Sequence, residues 1–150
     1  MSGKMSRDKG QRAEREVVKL LQPIIDRVYE EFYGTVFPAE GTSISIPQLA
    51  RNLVQSRSGG HDISGLHWIA IEVKHQETFA LNAWWAQALQ QSERTGGIPV
   101  LLYRRNGLPF RCKLVAVVKI ANGGGVKVVA DITLEAFMVW FEHALRASLA

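Results

Sequence analysis

Cysteine is almost absent from this chain: 150 residues contain one. Cys112 has no partner for an internal disulfide and no companions for a zinc site, so it reads as an ordinary strand residue. Long apolar runs are missing too. No stretch approaches the roughly 20 residues that cross a bilayer, so no membrane partner is expected. The opening Met1-Ser2-Gly3-Lys4-Met5-Ser6-Arg7 lacks a signal peptide's apolar region. An intracellular location is expected, in cytoplasm or nucleoid, or inside a host cell for a viral protein. Neither an internal repeat nor a low-complexity tract is present. Acidic residues are in the minority, 14 against 18 Lys and Arg, and the net charge of +4 has the sign that suits a polyanion.

What is present suffices for one domain over residues 1–150, with 47% hydrophobic residues to build a core. Residues 1–7 read as a flexible basic arm. A helix is expected from Asp8, a plausible N-cap, to Gln22, with apolar residues at Val17, Leu20, Leu21, Ile24 and Val28. Pro23 should kink it or start a second segment reaching Tyr33. Residues 34–50, rich in Gly, Pro, Thr and Ser, read as a loop insertion, with a short helical turn over 47–53 and a strand over 53–56. Residues 62–64 and 68–74 should pair as central strands. A helix over 79–94 stops at Gly96-Gly97, and a strand covers 98–104. A hairpin turns at Asn122-Gly123-Gly124, and a last helix starts at Thr133. The order αβββαβββα predicts an α/β domain with a mixed β-sheet flanked by helices.

The chemistry lies in His61-Asp62 followed by Ile71-Glu72-Val73-Lys74. Trp68-Ile69-Ala70-Ile71 is an unbroken apolar run of the kind that forms a strand buried on both faces. Ending such a strand in Glu-x-Lys breaks its pattern, because buried charges need a partner or a metal. Side chains alternate along a strand, so Glu72 and Lys74 share a face. If the chain doubles back through residues 65–67, Asp62 lies opposite Glu72 on that face. Two carboxylates so placed repel, and Mg²⁺ relieves the repulsion while keeping sites for water and phosphate; Mn²⁺ should substitute. Lys74 would hold the attacking water or steady developing charge. A solvated edge strand with a weak ion pair is the plainer alternative.

Lys9-Gly10-Gln11-Arg12-Ala13-Glu14-Arg15-Glu16, Glu72-Val73-Lys74 and Gly96-Gly97-Ile98-Pro99-Val100-Leu101 together resemble archaeal-type Holliday junction resolvases. These belong to the PD-(D/E)xK, or restriction-endonuclease-like, nucleases. The resemblance covers residues 7 to 105 and implies that fold. It implies a metal site of Glu14, Asp62 and Glu72 with the Val73 carbonyl, Lys74 orienting water, and a homodimer cutting four-way DNA junctions. It also implies 5′-phosphate and 3′-hydroxyl products. His61 stands where the superfamily's name has proline, and the span from Glu14 to Asp62 is longer than expected, with the extra length near 34–50. Glu16 is the rival to Glu14, but lies about 200° round the helix from it.

Arg7, Lys9, Arg12 and Arg15 crowd the N-terminus, and Arg57, Arg104 and Arg105 flank the acids in sequence. With Gln87 on the helix after Glu-x-Lys, these are the candidate DNA contacts, the cations neutralising phosphates. His61 and His75 are expected in turn or surface roles. The final helix, with Phe137, Phe141 and Leu145 on one side and Trp140 near another, is either core or dimer interface, as are Trp84 and Trp85. A nuclease acting on flaps, nicks, mismatches or duplex, or a DNA-binding recombination factor without catalysis, are the alternatives.

Overall fold

The computed structural model describes residues 2–34, 45–52 and 62–150. Helix α1 (Ser2–Tyr33) leads to short strands β1 (Ala50–Arg51) and β2 (Ile63–Ser64) and the longer β3 (Ile69–His75). Helix α2 (Leu81–Thr95), strands β4 (Ile98–Arg104), β5 (Arg111–Lys119) and β6 (Gly125–Thr133), and helix α3 (Leu134–Leu149) follow. The described elements keep the expected αβββαβββα order. Their six strands make one mixed sheet in sequential order, β3 and β4 parallel and every other neighbouring pair antiparallel. Helix α2 is the crossover that a parallel pair requires.

The first helix differs from expectation. It runs unbroken over 32 residues from Ser2, ahead of the expected start at Asp8, with Pro23 inside it, and residues 3–8 are exposed on its first turns. Proline costs a helix interior about 3 kcal/mol. Here Val17, Leu21, Ile24, Ile25 and Val28 form one buried stripe across the proline, and their burial outweighs that cost.

Over the described residues 47–52 the expected helical turn (47–53) is not formed. Residues 45–49 are irregular and enter β1 directly. The Gln22 side chain explains this path: its Nε2 donates to the Pro47 carbonyl at 3.0 Å and its Oε1 accepts from the Leu49 N–H at 2.8 Å. The expected strand over 53–56, and residues 35–44 of the loop insertion, lie outside the described residues. Helix α2 stops where predicted: Gly96 takes a left-handed φ of 80° and donates its N–H to the Ser92 carbonyl at 2.7 Å. A Cβ on Gly97 would stand 2.8 Å from the Ile69 carbonyl carbon, so glycine lets β4 start close against β3.

The sheet separates two apolar clusters. On one face, Ile69, Ile71, Val73, Val100 and Leu102 pack with the stripe of α1 and with Phe137, Phe141 and Leu145 of α3. On the other, Leu101 and Tyr103 pack with Trp84 and Ala88 of α2. The apolar side of α3 is therefore core: Phe137, Phe141 and Leu145 are fully buried, and Trp68 stacks on Phe141 with ring centroids 5.8 Å apart. Trp84 is buried and Trp85 packs against the same cluster, so intrachain packing accounts for both tryptophans. The exposed apolar surface lies instead on the outer part of the β5–β6 hairpin.

Candidate active site

Strand β3 is central, so residues 69–73 are buried on both faces and the alternation of polar and apolar residues is lost until Lys74. Ile69, Ile71 and Val73 point to the α1–α3 cluster. Glu72 faces the opposite way, in register with Leu101 on β4. The pairing of Ile63 with Ile71 delivers Asp62, at the entrance to β2, beside Glu72 and Val73. There the Val73 N–H donates to Asp62 Oδ2 at 2.7 Å, so the aspartate caps the backbone of the strand that carries the glutamate. Glu14 comes from α1, and Arg51 of β1 donates through Nε to Glu14 Oε2 at 2.6 Å. Gln22 fixes the approach to β1, and thereby places Arg51.

These elements enclose a cleft of about 650 Å³ whose walls include Glu14, Asp62, Val73 and Lys74, with Arg7, Arg51, Asn52, His75, Gln87 and Gln91 around them. Glu72 lies just behind this wall, 1% exposed, against 8% for Glu14 and for Asp62. Neither of its carboxyl oxygens receives a hydrogen bond from a donor among the described residues, and in its protonated form the carboxyl shares its proton with Asp62. Burial, then repulsion from Asp62, pushes its pKa up to about 8; Lys74 opposes the rise and Glu14 adds to it. A buried carboxylate that no donor serves, beside two other acids, is expensive. The donor set, all carboxylate and carbonyl oxygen, suits a hard divalent cation, and such an ion would relieve both desolvation and repulsion. Among the described residues, no three His, Cys, Asp or Glu side chains form a ready metal cage. Arg51 holds Oε2 of Glu14, and an ion shared by all three acids would take the other carboxylate lone pairs or displace that guanidinium.

The candidate DNA contacts scatter. Arg7 and Gln87 line the cleft. Lys9 pairs with Glu77 at 3.5 Å and, with Arg12, lines a neighbouring depression. Arg15 is exposed and lines neither. Arg104 is held by Glu16 at 2.6 Å and lies 4.6 Å above the Phe110 ring, so it is committed within the fold. Glu16 is therefore paired away from the cleft that Glu14 lines. Arg105 is exposed and stacks 4.4 Å above Phe79. Arg57 and His61 lie outside the described residues. His75 does line the cleft, and its Nε2 lies 2.9 Å from Asn106 Oδ1. Burial and then the charge of Arg104 lower its pKa. Sequence reasoning misses Asn52 and Gln91. The second was findable, being one helical turn beyond Gln87.

Comparison with known proteins supplies the family. The 1.6 Å structure of Hjc from Archaeoglobus fulgidus, a Holliday junction resolvase from an archaeal hyperthermophile, is similar to this chain at 13% identity and a TM-score of 0.48. The match covers 87% of this chain and 96% of that one. No curated protein matches by sequence. A family model described as "Phage putative PDDEXK endonuclease" matches residues 5–123, a span that contains Glu14, Asp62, Glu72 and Lys74, and the chain belongs to that family of PD-(D/E)xK endonucleases.

Proposed function

We propose that this protein is a Mg²⁺-dependent DNA endonuclease that resolves four-way junctions as a homodimer. The observation that carries the metal assignment is Glu72: a buried carboxyl to which no donor among the described residues points, raised in pKa first by burial and then by Asp62, and adjoining a cleft that Lys74 lines. Glu14, Asp62, Glu72 and the Val73 carbonyl would hold the ion. When bound, such an ion polarises a phosphodiester and eases ionisation of the attacking water. Asp62 is oriented for this by its bond to the Val73 N–H. Lys74, on the same side of β3 as Glu72, positions the water and offsets charge developing on the phosphate. Arg7 on α1 and Gln87 on α2 both line the cleft and suit the flanking phosphates. Cleavage leaves 5′-phosphate and 3′-hydroxyl ends, as in the family the sequence resembles.

The experiment is cleavage of a labelled four-way junction beside a linear duplex of the same sequence. Junction-selective cutting by the native chain, with Asp62→Asn and Glu72→Gln binding the junction without cutting it, is the expected result. Full cutting by either variant rejects the site. Equal cutting of both substrates rejects junction selectivity and leaves a nuclease of another DNA class. Failure to take up Mg²⁺ or Mn²⁺ in calorimetry favours a non-catalytic DNA-binding factor.

A further inference from the structure

Strand β6 is the end of the sheet: it pairs with β5 on one side, and among the described residues no strand covers its other edge. It is nine residues long and contains no proline. Val126, Val128 and Val129 are 47%, 39% and 52% exposed. A long, apolar, unpaired edge is one that soluble proteins ordinarily shorten, charge or cover. The sequence of β6 fits one cover in particular. Laid antiparallel against a copy of itself and centred on Val129, the strand pairs along its whole length. Lys127 then stands opposite Asp131 of the second copy, and Asp131 opposite that copy's Lys127.

Both residues fall on one face of the strand, two positions either side of the centre. Within its own hairpin Lys127 is opposite Val117, and among the described residues it makes no ion pair. Asp131 accepts from the Tyr103 hydroxyl and from Arg111 Nε, which leaves carboxylate lone pairs for an incoming ammonium. On the other face, Val126 meets Ile132 and Val128 meets Ala130. Register and charge are thus self-complementary, as a two-fold interface demands.

We infer that β6 is a dimerisation edge, at which two copies of this chain join their sheets through antiparallel β6–β6 pairing centred on Val129. The pairing gives the homodimer of the preceding reading a surface and does not depend on the nuclease chemistry. The test uses the full chain without DNA, so that loss of cleavage and loss of pairing are read separately. Light scattering at tens of micromolar should give twice the monomer mass. Val129→Cys, on the two-fold axis, should cross-link to a covalent dimer under mild oxidation, Cys112 being buried. Val139→Cys, 61% exposed on α3, should not. Lys127→Glu, checked for folding by circular dichroism, sets like charges opposite each other twice and should raise the dimer dissociation constant about tenfold. A monomeric native chain, cross-linking by Val139→Cys equal to that of Val129→Cys, or an unchanged dimer in Lys127→Glu each overturns the pairing.

Discussion

Replacing Glu72 with glutamine should make the metal-free protein more stable at neutral pH, although the residue sits in the middle of the central strand. The exchange keeps shape and volume, removes the ability to carry charge and presents an amide N–H to Asp62 in place of the carboxyl proton. Below pH 4.5 the carboxyl is protonated in folded and unfolded chains alike, and its ionisation costs folding nothing. As pH rises from 4.5 to about 8, the unfolded chain gains by ionising while the folded chain stays protonated. Stability of the native sequence therefore falls across that window and levels off above it. At about 1.36 kcal/mol per pH unit the full penalty is on the order of 5 kcal/mol, and roughly 3 kcal/mol has accrued by pH 7.

Thermal unfolding in the presence of a chelator, followed by circular dichroism from pH 5 to 8, reads this directly. The advantage of Glu72→Gln should grow by about 3 kcal/mol across the series, or roughly 6–12 °C in Tm for a chain of this size. Excess Mg²⁺ should stabilise the native protein, by binding the folded state alone, and leave Glu72→Gln unmoved. Parallel pH profiles for the two proteins, or a glutamine variant less stable at pH 7, would show that the carboxylate is not strained and refute the reasoning.

Two further outcomes test other links. Lys74→Met should slow junction cleavage by about a hundredfold while leaving junction affinity within a few-fold, measured by single-turnover kinetics and a gel-shift titration; an equal loss in both would make Lys74 a binding residue. Gln22→Ala removes both bonds that hold residues 47–49 against α1 and should cost about 2 kcal/mol in urea unfolding, at roughly 1 kcal/mol per bond.

Elements with a strong internal period were legible from residues alone. The stripe from Val17 to Val28, the Trp68–Ile71 run and the Gly96 stop each specify local geometry, and the element order followed from them. What the residues leave open, or get wrong, is decided by distant contacts. Pro23 reads as a break only if the buried stripe on either side of it is discounted. The apolar breadth of α3 cannot reveal that Trp68, far off in sequence, packs on it. Residues 115–118 read as an ordinary strand, yet the helices do not reach that far along the hairpin, and Val117 is left 65% exposed. Arg104 belongs by sequence to a basic cluster, but Glu16 and Phe110 occupy it.

The acids show the same division. Strand alternation puts Glu72 and Lys74 on one face, and the turn at 65–67 puts Asp62 beside them. Nothing local says how each charge is compensated. Glu14 sits at the rim of the cleft, where a long guanidinium from β1 can reach it. Among the described residues no guanidinium pairs with Glu72, whose strand neighbour on β4 is Leu101. Its one nearby ammonium, Lys74, is two residues along the same strand and only partly offsets burial and Asp62. Of the two glutamates proposed as ligands, Glu14 would therefore meet an ion with part of its charge already balanced by Arg51, whereas Glu72 would meet it with its charge only partly offset, and Glu72 has the more to gain from that ion.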